Sequence, residues 1–258
     1  MVPYFQNELV TLYRGDAISV LDSLEIRGVA AIVSDPPYSS GSLPEAMKQK
    51  ANPRLRGWKW EDKQMETDQL STLGFIFLIR EILLTVRPSM REGASVELFI
   101  DWRNWGNLQG CVESAGFRVN NMIVWDKGSI GMGNGFRNQH ELVLWGSLGT
   151  PSVESRSVSN VLKHKRDANA LHQSPKPVEL MMDLLRVVAR SGDLIIDPFA
   201  GSGSTLLAAK RLGIRSIGIE LEEVYCQTIV DRLSQGDLFD VLGNETVAPN
   251  SSDLFGDL

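Results

Sequence analysis

Leu194-Ile195-Ile196-Asp197-Pro198-Phe199-Ala200-Gly201-Ser202-Gly203-Ser204-Thr205 is the stretch that decides the fold. Its three aliphatic residues read as a short buried strand. An acid, a proline and two glycines then make a tight turn, in which glycine lets a ligand approach the backbone closely. Residues 204–212 read as a helix closed by Gly213, and residues 214–219 as another strand, ending in Glu220. Strand, glycine-rich turn, helix and strand make a βαβ unit of a parallel sheet. Glu220 lies about twenty residues beyond Gly201, the spacing at which a carboxylate reaches the ribose hydroxyls of an adenosine. The turn lacks the third glycine of the dinucleotide pattern and the Lys-Ser/Thr of a phosphate-binding loop, which disfavours nicotinamide enzymes and NTPases. The plain alternative is a tight turn with no ligand.

Asp35-Pro36-Pro37-Tyr38 follows a second apolar run, residues 28–34, that also reads as a buried strand. Two prolines have fixed φ and no N–H, so the chain leaves the sheet rigidly at this point. Asp35 and Tyr38 are then held at the carboxyl end of a parallel strand, where open α/β sheets bind ligands. The acid and a proline carbonyl can accept hydrogen bonds from an amino group, while the ring stacks on the base that carries it. Taken alone, the four residues fit a capped turn with a space-filling tyrosine equally well.

Around these motifs the chain alternates strands and helices. Residues 9–13 read as a strand and 17–24 as a helix. Residues 67–86 read as a helix with Leu70, Leu73, Phe77, Ile82 and Leu83 inward, stopped by Pro88. Residues 94–100, 117–126 and 141–145 read as strands, and 104–114 as a helix. Gly-rich residues 127–135 precede a strand, not a helix, so they read as a strand connection and not as a phosphate cradle. The helix after Pro175 has Val178, Met181, Met182, Leu185 and Val188 as its core face. Residues 39–66 and 147–171 show no clear period, and unpatterned segments this long inside a domain are usually functional.

A net charge of −6 over 258 residues looks wrong for a nucleic-acid binder, but the distribution matters more. Residues 231–258 hold six acids against Arg232 alone, whereas Lys48, Lys50, Arg54, Arg56 and Lys59 cluster with Trp58 and Trp60 and no acid. Cys111 and Cys226 stand in no metal-ligand spacing, so no metal is expected. Two isolated cysteines, no leader pattern and no apolar run of spanning length imply a cytoplasmic chain with no membrane partner.

The two motifs together resemble the S-adenosylmethionine-dependent amino-methyltransferases of DNA, which make N6-methyladenine or N4-methylcytosine. The resemblance covers most of residues 9–235. The order, Asp35-to-Tyr38 before Asp197-to-Thr205, is that of the family's β group. Gly15-Asp16, Trp125-x-Lys127, Arg137-x-x-His140-Glu141 and His172-Gln173-Ser174-Pro175-Lys176-Pro177 match as well. Gln173 and Ser174 depart from the family's His-Pro-Thr-x-Lys-Pro but leave the Lys-Pro in place.

The resemblance implies one α/β domain over residues 1–240, with a doubly wound, mostly parallel seven-stranded sheet of the class I methyltransferase (Rossmann-like) type. It implies S-adenosylmethionine as cofactor, with Phe199, Ala200, Gly201 and Gly203 along its methionine end and Glu220 on its ribose. Asp16 and Ala17 would meet its adenine, with Lys176 nearby; Ser202, Asp197 and Asp35 complete the cofactor set. Asp35 and the Pro36 carbonyl would grip the target amine, and Pro37 and Tyr38 complete the catalytic turn. Asp at the first position resembles the adenine enzymes more than the cytosine ones. An RNA or protein methyltransferase and a silent DNA-binding protein are the competing classes.

For DNA contact the candidates are Lys48, Lys50, Arg54, Arg56 and Lys59 in the insertion 39–66, Arg137, and Lys163, Lys165 and Arg166 in the insertion 147–171. Residues 241–258 read as an acidic, disordered tail. Just before it, Gln235 to Phe239 resembles the short peptide by which bacterial proteins enter the replication sliding clamp, although Leu238 and Phe239 also suit plain packing on the domain.

Overall fold

Val29–Ser34 is buried along its whole length and forms the strand around which the sheet is wound. A strand that is apolar on both faces needs cover on both, the usual condition of a parallel α/β sheet. The computed structural model describes residues 1–37, 71–131, 134–165 and 175–244, with side chains as far as Gln235. Its strands are β1 (Phe5–Gln6), β2 (Val10–Arg14), β3 (Val29–Ser34), β4 (Met90–Ile100), β5 (Arg118–Asp126), β6 (His140–Ser147), β7 (Val161–Lys163), β8 (Leu194–Asp197) and β9 (Arg215–Glu220). They form one sheet in the order β1-β2-β9-β8-β3-β4-β6-β5-β7.

The stretch from β2 through β9, β8 and β3 to β4 is parallel throughout. β6 runs against both β4 and β5, so it is the reversed strand of its half of the sheet. The sheet has nine strands where the resemblance implied seven. β1 and β7 are additions at the two edges. Strands of two and three residues are too short to show an alternation that sequence can reveal. β7 also places part of the unpatterned segment 147–171 inside the sheet.

Helices cover both faces. α1 (Ala17–Asp22), α2 (Thr72–Val86) and α3 (Trp105–Ser114) pack on one side through Val20, Phe75, Leu83 and Leu108. α4 (Val178–Val188), α5 (Ser204–Arg211) and α6 (Glu223–Asn244) cover the other through Leu184, Leu206, Ile229 and Leu233. Asp16 and Ser71 start α1 and α2 by accepting the N–H of Ser19 and Gly74 at 2.9 and 3.1 Å.

Two sequence expectations change here. The buried face of α2 is Phe75, Ile79, Ile82, Leu83 and Val86, while Leu73 and Phe77 are exposed. The first half of α2 is apolar all round, so periodicity did not determine which stripe faces the core. α6 continues to Asn244, so the helix takes in the first residues assigned to the tail. The Gln235-to-Phe239 peptide lies within that helix, and residues 245–258 fall outside the described residues. Among the described residues no helix is long and apolar enough to cross a membrane.

Candidate active site

β2, β9, β8 and β3 are mutually parallel, so they end on the same edge of the sheet. From β3 the chain moves across the sheet towards β4, and from β8 it moves the opposite way to β9. Neighbouring strands whose connections diverge leave a crevice at their carboxyl ends. The cavity there measures about 260 Å³. It is lined by Asp16 and Ala17 after β2, Asp35 and Pro37 after β3, Asp197 at the end of β8, and Phe199, Ala200, Gly201 and Ser202 beyond it. Glu220, at the end of β9, and Lys176, before α4, close it. Ser34 Oγ donates to Asp197 Oδ1 at 2.5 Å and ties the ends of β3 and β8 together.

The glycine-rich turn is built largely by backbone hydrogen bonds. The Ala200 N–H donates to the Ile219 carbonyl at 2.9 Å, and the Gly201 N–H to Glu220 Oε2 at 2.8 Å. Glu220 Oε1 accepts the Glu222 N–H at 2.9 Å, so the carboxylate is aimed from both sides. Each oxygen has a further lone pair, and the group can still receive a hydroxyl. From behind, Arg232 of α6 donates to the Ser202 carbonyl at 2.5 Å.

Both glycines have positive φ, +52° at Gly201 and +81° at Gly203, but they face different neighbours. A Cβ on Gly201 meets nothing nearer than the Phe199 carbonyl oxygen at 4.0 Å, which leaves room for a ligand against the backbone. A Cβ on Gly203 would stand 2.9 Å from Ile229 Cγ1. Gly203 therefore packs α5 against α6 and does not line the cavity.

Beside the cavity lies a chain of charges. Lys176 Nζ donates to Asp35 Oδ2 and lies 3.2 Å from Glu141 Oε2. Glu141 Oε1 accepts from Lys127 at 2.5 Å. Aromatic faces line this chain: Lys176 sits 4.9 Å from the centre of the Phe99 ring, and Lys127 sits 5.2 Å from that of Trp125. Burial works against the Lys176 charge, but Asp35 and Glu141 outweigh it and hold the ammonium above its ordinary range. Burial likewise opposes the Glu141 charge, and Lys176 and Lys127 bring its carboxyl below the usual value. Asp35 is pushed up by burial against the pull of Lys176. Its other oxygen, Oδ1, has no hydrogen-bond partner among the described residues. Asp197 is raised by burial to about 6, although Ser34, Thr205 and the Phe199 N–H all bond to it. Burial also raises Glu220.

Of the residues singled out in the sequence, the structure brings Asp16, Ala17, Asp35, Pro37, Lys176, Asp197, Phe199, Ala200, Gly201, Ser202 and Glu220 to one cavity. Pro36 is buried and its side chain is not among those lining the cavity. Tyr38, Lys48, Lys50, Arg54, Arg56, Lys59 and Arg166 lie outside the described residues. Arg137 is exposed in the β5–β6 connection and donates to the Gly131 carbonyl at 2.6 Å. Lys163 and Lys165 are exposed at the end of β7, on the same edge as the cavity.

Several participants were not picked out as site residues. In the sequence Glu141 and Lys127 stand out only within the motifs Arg137-x-x-His140-Glu141 and Trp125-x-Lys127. Leu78 and Tyr225 come from helices whose phase alone does not indicate a site. Among the described residues no group of three His, Cys, Asp or Glu side chains is placed to hold a metal ion.

Comparison with known proteins agrees with this geometry. The family described as DNA methylase (N6_N4_Mtase) matches residues 29–231. The Escherichia coli (strain K12) protein YubD is 26% identical over 221 residues, covering 86% of this chain and 88% of its own. The type II methyltransferase M2.DpnII of Streptococcus pneumoniae is 24% identical over 254 residues, covering 90% and 92%. Among solved structures, the M1.HpyAVI–SAM complex superposes with a TM-score of 0.65 at 22% identity, covering 87% of this chain and 100% of its own. PvuII DNA methyltransferase, specific for cytosine N4, superposes with a TM-score of 0.68 at 15% identity, covering 93% and 95%. At such identities the superpositions speak for the fold and the family match for the chemistry. Matched over most of its length, the chain belongs to the N6/N4 DNA methylase family, enzymes that methylate amino groups of DNA bases with S-adenosylmethionine.

Proposed function

We propose that the enzyme methylates the N6 amino group of an adenine flipped out of DNA. The observation that carries this reading is the placement of Asp35. It stands at the end of β3, on the wall of the cavity that contains Asp197 and Gly201, with Oδ1 unpartnered among the described residues. When bound, S-adenosylmethionine supplies an electrophilic methyl group on a sulfonium.

An exocyclic amine is a weak nucleophile because its lone pair is delocalised into the ring. Asp35 and the Pro36 carbonyl accept its two N–H bonds and draw the nitrogen towards a tetrahedral shape. Fixed acceptors of this kind stabilise the charge that develops on nitrogen. Lys176 holds Asp35 by Oδ2, so the carboxylate is oriented before the base arrives. A base inside a duplex cannot reach this crevice and must be flipped, and Tyr38 is assigned to stack on it. On the cofactor side, Glu220 takes the ribose and Asp16 and Ala17 the adenine. The open face of Gly201, with Phe199, Ala200 and Ser202, takes the methionine end.

DNA is placed along the rim formed by the β5–β6 connection and the end of β7. Arg137, Lys163 and Lys165 are exposed there, and Phe136 is fully exposed beside Arg137. Trp102, 55% exposed just after β4, stands on the same edge.

Asp35→Ala tests the assignment. Transfer to DNA should fall at least about 10²- to 10³-fold, the effect of losing one preorganised electrostatic contact. Cofactor affinity should stay within a few-fold of the wild type. Retained turnover would remove Asp35 from the chemistry. Cytosine N4 offers the same kind of amine, and a cytosine-N4-specific enzyme shares the fold. The choice of adenine rests on Asp35 at the first motif position, and mass spectrometry of nucleosides from treated DNA decides between the two bases.

A further inference from the structure

β4 contains a buried acid that the methyl-transfer site does not use. Glu97 lies in β4, paired across to Val33 of β3 and Trp145 of β6. Side chains alternate along a strand, so Glu97 shares the α4 face with Ser95 and Phe99. It is 1% exposed, and its Oε2 has no hydrogen-bond partner among the described residues. Burial drives its carboxyl well above the ordinary range, which favours the uncharged acid. A buried polar group left unpaired costs about 1–3 kcal/mol, and an apolar side chain of the same size would avoid that cost.

Glu97 forms part of the wall of a second cavity of about 320 Å³. None of the residues lining it lines the methyl-transfer cavity. Its walls are mixed: Ile123, Trp145 and Leu184 stand with Arg156, Ser159 and Asn160. Trp145 spends its N–H on Ser95 Oγ at 3.2 Å, so it presents a ring and no donor. Asn121 accepts the Met122 N–H at 2.8 Å through Oδ1, which leaves its amide nitrogen to donate. Asp183, also on the wall, is engaged by His164 at 2.9 Å and Arg186 at 2.8 Å.

We propose that this cavity is a second binding site, and that it takes an uncharged flat heterocycle with an N–H donor beside a ring-nitrogen acceptor, the amidine edge of a nucleobase. A carboxylic acid carries a donor and an acceptor side by side and pairs with such an edge through two hydrogen bonds. The indole face and aliphatic walls suit a flat ring. A cation would meet the like charge of Arg156 on the same wall and would lose hydration beside the apolar side chains, which both cost free energy.

The test uses free adenine as probe, with the full-length protein saturated with S-adenosylhomocysteine to fill the cofactor crevice. Saturation-transfer NMR should detect adenine binding that survives Asp35→Ala, falls at least tenfold in Glu97→Leu and persists in Glu97→Gln. The last variant keeps a donor beside an acceptor. A crystal soaked with adenine should show density against Glu97. Because Glu97→Leu removes an unpaired acid, its melting temperature without ligand should be equal to or above that of the wild type. Density confined to the Asp35 crevice, or equal adenine affinity in Glu97→Leu, overturns the site. Preference for putrescine over adenine overturns the ligand class. A lower melting temperature in Glu97→Leu gives the acid a structural partner and overturns the premise.

Discussion

Asp197 is a carboxylate that the fold makes reluctant to ionise. Burial brings it to about 6, from an ordinary value of 3.8. The folded chain therefore keeps a proton that the unfolded chain releases. The contribution of this group to stability is lost as pH rises from about 4 and levels off above about 6, a change of roughly 3 kcal/mol at most. A cation bound beside Asp197 favours the ionised form and reverses that preference. S-adenosylmethionine should thus bind more tightly from pH 5 to pH 7, with uptake by the protein coupled to release of a proton. The uncharged thioether product should show a smaller change. Titration calorimetry in two buffers of different ionisation enthalpy counts the protons, and equal counts for both ligands would separate Asp197 from the sulfonium. Asp35, Asp197 and Glu220 were legible in the sequence because each ends an apolar run. The link from Lys176 through Glu141 to Lys127 was not. Its members come from three separate segments, and only the β5–β6 pairing and the approach to α4 bring them into contact.

At the scale of elements, the turn between β8 and α5 uses its two glycines for different purposes. Gly201→Ala places a methyl group in open space, at the cost of positive φ, on the order of 1 kcal/mol. It should fold and lose cofactor affinity at least tenfold. Gly203→Ala forces the same kind of strain and drives Cβ into Ile229, so α5 and α6 must separate. It should cost about 2–4 kcal/mol, strain and overpacking together, and lower the melting temperature even without cofactor. Thermal melts with and without S-adenosylmethionine distinguish the two, and a Gly201→Ala that binds normally would show that the ligand does not approach that backbone. Gly-x-Gly read as a single motif did not reveal this division, because the neighbour of Gly203 is supplied by α6, more than twenty residues later in the chain. α2 is present as expected, with Ile82 and Leu83 buried, but Leu73 and Phe77 face outward and Phe75 and Ile79 take the inner face. With apolar residues on every side of its first half, only the packing of Phe75 and Ile79 against the sheet fixes its rotation.

Over the whole molecule, an acidic chain presents basic groups along one rim. The net charge is −6, yet Arg137, Lys163 and Lys165 project from the edge that carries the crevice. Changing all three to alanine should weaken DNA binding across sequences alike and lower the slope of log affinity against log salt by about 1 to 3 units. Filter binding between about 50 and 200 mM salt measures that slope, and an unchanged slope would move the DNA elsewhere.

By itself the sequence determined the α/β class, the two strand-end motifs and their order, because these depend on local composition and on spacing along the chain. The tertiary structure alone decided that β3 and β8 are neighbours, so that Asp35 and Asp197, far apart in sequence, face one crevice. It also turned Glu97 of an apolar-looking strand towards a cavity of its own. Strand order and the direction in which a side chain points come from long-range pairing, and no local pattern of residues encodes them.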